Sequence, residues 1–174
     1  MKTLFTATLG AAGLFASTLI AGAQDKPTDP QIAHIAYSAG VIDIEAAKLA
    51  LSKSKTKEVV EFAQSMQKDH EAVNGMALDL VKKLNVTPAD NPTSQALAKA
   101  GEEKRAELAK LDGAAFDKAY IANEVAYHKQ VNGALETLLI PSAQNPELKA
   151  LLETGLKLFQ GHQQHAEHTE AALK

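Results

Sequence analysis

The chain contains no cysteine, which excludes disulfides, thiolate metal sites and a cysteine nucleophile. Tryptophan is also absent, and the aromatics are limited to five Phe and three Tyr. A core must therefore come mostly from Ala and Leu, residues suited to closely packed helices. Positive charge is not in excess: 18 Lys and Arg stand against 21 Asp and Glu, without strong clustering. No basic face argues for nucleic acid or for anionic lipid. After the first 23 residues no apolar run approaches the length that spans a bilayer. No segment sustains period-two alternation, so strands are not expected. A barrel across an outer membrane is excluded with them.

The first residues, MKTLFTATLGAAGLFASTLIAGA, read as a secretory signal. Lys2 supplies the positive start, Leu4 to Ile20 the apolar run, and Ala21-Gly22-Ala23 an A-x-A cleavage site. The expected organisation is a cleaved signal over 1–23, a short lead over 24–29 and one domain over 30–172. Export to the periplasm follows, with no membrane span in the mature chain. Peripheral association with the envelope is compatible with this, as is an unidentified protein partner.

Four strong helical periods follow. Asp29-Pro30 offers a cap and a first-position proline. Ile32, Ile35, Ala39, Ile42, Ala46 and Leu49 then recur at spacings of three and four. SKSKTK (52–57) is a turn, after which Val59, Phe62, Met66, Val73, Met76, Leu80 and Leu84 mark a second helix. NVTPADNP (85–92) breaks it. Residues 93–111 are helical in character but weakly apolar, as suits a surface crossover. Phe116, Tyr120, Tyr127, Val131 and Leu138 mark the next helix, PSAQNPE (141–147) a turn, and Leu148 to Leu173 the last. Two hairpins joined by a long crossover with an extra helix define an all-α, ferritin-like four-helix bundle. The crossover helix, ~27 Å long, can run the length of the bundle. The expectation drawn from this is that both hairpin turns lie at the same end.

Polar residues at core positions need partners, so histidines on the apolar stripes are the best handle on function. His70 and His162 lie within their stripes. His34, His128, His165 and Glu45 lie at stripe edges, and His168 points outward. Heights counted from each hairpin turn put His70 at ~24 Å, Glu124 at ~22 Å and His162 at ~26 Å. These three are expected to form one layer. His128 (~17 Å) and Glu45 (~13 Å) are expected one layer away, and His34 (~30 Å) at the rim. Imidazoles and carboxylates from facing helices are how bundles hold metals. The candidate ligands are therefore His70, Glu124, His162, His128 and Glu45, for a divalent Zn, Cu or Fe. The di-iron pattern of Glu-x-x-His on two helices is missing, since Gln67 and Phe159 stand three before His70 and His162. Three alternatives stay open: a layer that hydrogen-bonds to itself and fixes helix register, a surface site at His162, His165 and His168, and an acid–base pair at Asp69-His70. No nucleophile shares that pair's face, and no catalytic residue is assigned.

FAQSMQKDHEAVN (62–74) and FDKAYIANEVAYHK (116–129), with Glu45 in DIEAAKLA and His162 near the C-terminus, resemble the signature stretches of the domain of unknown function 4142 family. The resemblance covers residues 28 to 170. It implies an exported bacterial protein with a ferritin-like helical bundle, and many members carry an outer-membrane label. The matching positions are Glu45, Asp69, His70, Phe116, Asp117, Tyr120, His128 and His162; Glu124 is not among them. The resemblance implies no activity. The expectation is an exported bundle of non-catalytic, binding or stress-related role, with metal binding and weak acid–base chemistry as the alternatives.

Overall fold

A computed structural model describes residues 26–173, and the segment expected to be a secretory signal, 1–23, lies outside them. Five long helices account for nearly all of the described chain, which holds no strand. They are α1 (Asp29–Lys53), α2 (Lys57–Lys83), α3 (Pro92–Ala109), α4 (Gly113–Ala134) and α5 (Pro146–Ala172). Between α4 and α5 the helix continues through a π-helical turn (Leu135–Leu139) and one α-turn (Ile140–Ser142).

Local chemistry sets the ends. Thr28 caps α1, one residue before the expected Asp29, and its N–H donates to Gln31 Oε1 at 2.9 Å. Asn91 caps α3, its side chain accepting from the Ser94 N–H at 3.0 Å. Asn145 caps α5 by accepting from the N–H groups of Glu147 and Leu148 at 2.9 and 3.1 Å, as Asn-Pro-Glu predicts. Gly113 opens α4 at φ 54°, in the left-handed region that glycine enters without a steric cost. Pro141 does not end its helix where the sequence suggested. It sits at the start of a short α-turn, where a proline's missing N–H costs little.

α1 and α2 form one antiparallel hairpin and α4 and α5 the other, with α3 lying outside against α1. The two hairpin turns lie at opposite ends, contrary to expectation. Thr56, in the first turn, donates to Asp117 near the start of α4, and Lys53 pairs with Asp112. At the other end, Gln144 and Asn145 donate backbone N–H groups to Asp29 at 2.8 Å each, and Lys83 pairs with Glu147. The reason is directional. α2 descends, α3 carries the chain back up, and α4 must then start at the first-hairpin end and finish at the other.

Two apolar clusters fill the interior. One, at the first-hairpin end, contains Val59, Phe62, Met66, Phe116, Tyr120 and Ile121, all fully buried. The other, at the second-hairpin end, contains Ile32, Leu135, Leu139, Leu148, Leu152 and Phe159. Met76, placed on the α2 stripe by periodicity, is instead 47% exposed.

Candidate metal centre

Between the two apolar clusters lies a polar layer. Asp43 from α1, His70 from α2, Glu124 and His128 from α4, and His162 from α5 are each no more than 5% exposed. One ligand atom from each of His70, His128 and His162 lies within 4.8 Å of the others, and the same holds for Asp43, Glu124 and His128. Ring centroids of the three imidazoles are 5.3 to 5.8 Å apart.

Corrected for the direction of α4, helical rise explains the convergence. Measured from the first-hairpin end, Asp43, His70, Glu124 and His128 all lie about 15–23 Å along their helices. His128 therefore joins His70 and His162 instead of lying one layer away. Glu45 does not join them. Its side chain is 40% exposed and pairs with Lys48 and Arg105, at 3.0 Å each. Two residues earlier, on the opposite side of the α1 ridge, Asp43 takes the place expected of Glu45. The signal was present: Asp43 follows Ala39 and precedes Ala47 at i±4, a charged residue within the apolar stripe.

Two of the imidazoles are held in defined tautomers. His128 Nδ1 lies 3.0 Å from the Glu124 carbonyl oxygen. A carbonyl only accepts, so Nδ1 carries the proton and Nε2 keeps its lone pair. Nε2 is buried and has no partner among the described residues. His162 Nε2 donates to Asp69 Oδ2 at 3.0 Å, leaving buried Nδ1 unpartnered. A carboxylate on the outer nitrogen, with the inner one free, is how metal-bound histidines are oriented. His70 stacks flat on Phe159, with centroids 4.6 Å apart. Its Nε2 is 3.4 Å from Asp43 Oδ2 but is not aligned as a hydrogen bond. Asp43 Oδ1, Glu124 Oε2 and the Tyr120 hydroxyl are buried here without partners too.

Electrostatics follow from burial. Loss of solvent holds His70 well below the ordinary imidazole range, and neighbouring His128 and His162 lower it further. Burial takes His128 down to about 4. His162 is also lowered by burial, with the Asp69 contact opposing. The carboxyls move the other way. Burial brings Glu124 up to about 7, and burial followed by repulsion from Glu124 pushes Asp43 well above its usual range. At neutral pH the layer thus presents three uncharged imidazoles beside two carboxyls that burial makes more ready to hold a proton. Uncharged imidazole is the form that ligates metals.

The family model for the domain of unknown function DUF4142 matches residues 16–169. The chain belongs to the DUF4142 family. No curated protein and no solved structure matches it. The family label carries no chemistry, so this DUF4142 member has to be read from its own side chains.

The other sequence candidates separate in space. Asp69 does not orient His70; the two side chains diverge, Asp69 to His162 and His70 to Asp43. His165 and His168 are exposed while His162 is buried, so the three form no common surface site. His165 instead packs edge-on to Phe62, with centroids 5.1 Å apart. His34 lies apart from the layer, 3.8 Å from Asp90.

Proposed function

We propose that this protein is an exported, periplasmic helical bundle that holds a divalent transition metal, Zn, Cu or Fe, in the layer between its two apolar clusters. The observation that carries the reading is the convergence of His70, His128 and His162 from three helices with buried nitrogens unpartnered. A layer satisfied by its own hydrogen bonds leaves few such atoms, whereas a cation would take their lone pairs. His70, His128 and His162 are the first candidates for ligands. Asp43 and Glu124 adjoin them and, as carboxylates, would balance the charge of the metal. Asp69 fixes the ring of His162. The role is binding rather than catalysis. A structural layer that sets helix register is the competing reading, and the same experiment separates them.

Protein purified without a histidine tag is assayed for metal content and melted with EDTA, Zn²⁺ or Cu²⁺. One ion per chain and a higher melting temperature with metal are expected. Saturation at 100-fold over Kd corresponds to about 2.7 kcal/mol of stabilisation. Asp69→Asn should weaken metal affinity by roughly 10–100-fold, since it releases the His162 ring. No bound ion and no thermal shift with any metal would sink the reading and leave the structural layer.

A further inference from the structure

Below the histidine layer, toward the second-hairpin end, the bundle holds a partly open cavity of about 140 Å³. Its walls come from all four bundle helices, and small residues at Ala36, Ala39, Ala134 and Gly155 create the space. The π-helical turn forms part of one wall through Leu135 and Leu139, and π-turns inside helices are frequent at functional sites. Phe159 is the inner wall, and its ring also stacks on that of His70.

The chemistry of the lining selects the occupant. Among the described residues, none of the buried polar atoms that lack partners belongs to a lining residue. The one buried polar side chain in the wall, Asn74, is turned onto the Tyr37 carbonyl and packs against Gly40. Water needs two to four polar partners to be held, and this lining does not supply them. Thr93 and Gln130, both exposed, are polar groups at the rim. A cavity near 150 Å³ with aliphatic walls accommodates benzene.

We propose that this cavity is a binding site for a compact hydrocarbon group of about the size of a benzene ring, either a free arene or the end of an alkyl chain. The site is built from the second apolar cluster and stands whether or not the histidine layer holds a metal.

The test uses benzene and toluene as the arene arm and decanoate as the alkyl arm, with glycerol as a polar control. Melting temperature and the methyl resonances of Leu135 and Leu152 are read. At least one arm should raise the melting temperature by several degrees and shift those methyls, while glycerol does neither. The arm that responds identifies the source. Ala134→Leu and Gly155→Leu fill the space and should abolish both responses. If neither variant folds, the methyl shifts of the unaltered protein decide. Absence of any response in both arms, or an undiminished response in a folded filling variant, overturns the proposal.

Discussion

The two halves of this bundle are built on the same four helices, yet they close their interiors differently. At the first-hairpin end Phe116 and Tyr120 stack with centroids 6.0 Å apart, and Phe62 meets Tyr120 edge-on at 6.1 Å. Aromatic rings occupy the middle of that interior. At the second-hairpin end the wall is mostly aliphatic, with Phe159 as its one ring, and it leaves about 140 Å³. A fully closed void of that size would cost about 3 kcal/mol at 24 cal/mol per Å³, an upper bound for this partly open one. One half therefore carries stability, while the other gives some up for space, and the polar layer divides them. The largest test compares a truncation in each half. Phe116→Ala should cost about 3–5 kcal/mol in urea unfolding, and Leu152→Ala about 2–3 kcal/mol, because its neighbours are already looser. Equal costs would show the halves to be packed alike.

The layer itself responds to pH in two opposed ways. Glu124 is raised to about 7, so its contribution is fully present below its unfolded value and is lost as pH rises through about 7. His128 is lowered to about 4; its contribution is present above the ordinary imidazole value and is lost as pH falls through about 4. In chelator-treated protein, Glu124→Gln should therefore gain on the parent by about 3 kcal/mol between pH 5 and pH 8, from the 1.36 kcal/mol per pKa unit. His128→Gln should change in the opposite sense, gaining on the parent as pH falls from 6.5 to 4. Parallel stability curves for parent and Glu124→Gln would mean that the carboxyl is solvated.

Much of this architecture was legible without coordinates. The four bundle helices, the crossover helix and the Asn145-Pro146 cap are local signals, and each is present, although Met76 and Leu138 of the apolar periods are exposed. His70, Glu124 and His162 were legible as core residues because each interrupts an apolar stripe. What failed was long-range. The relative height of His128 depends on which end α4 starts from, and that direction is set by α3, whose own stripe is weak. Glu45 and Asp43 stand two residues apart, about 200° on a helical wheel, so only one of them can face the layer. The i±4 spacing to Ala39 and Ala47 favours Asp43, and the side that α3 covers decides it, since Arg105 of α3 holds Glu45 on the outer face.

Cavity filling gives a smaller but sharper contrast. Ala47 is fully buried against the aromatic cluster, and Ala47→Leu should overpack it, at about 1–3 kcal/mol. Ala134→Leu places the same atoms into existing space and should be neutral or stabilise by up to about 1–2 kcal/mol. The comparison uses one substitution type in two environments, so helix propensity cancels to first order. If both variants lose stability equally, the second half has no usable space, and the hydrocarbon site falls with it.

The smallest expected effect falls on Glu45. It holds two ion pairs, with Lys48 and Arg105 at 3.0 Å each, but is 40% exposed, and exposed pairs contribute at most about 1 kcal/mol. Glu45→Ala should lower stability by less than about 0.5–1 kcal/mol and leave metal content unchanged. Asp43→Ala, only two residues away, removes a 3% exposed carboxyl facing His70 and should alter metal affinity. Metal affinity that drops for Glu45→Ala and holds for Asp43→Ala would place the ligand set on the wrong side of α1.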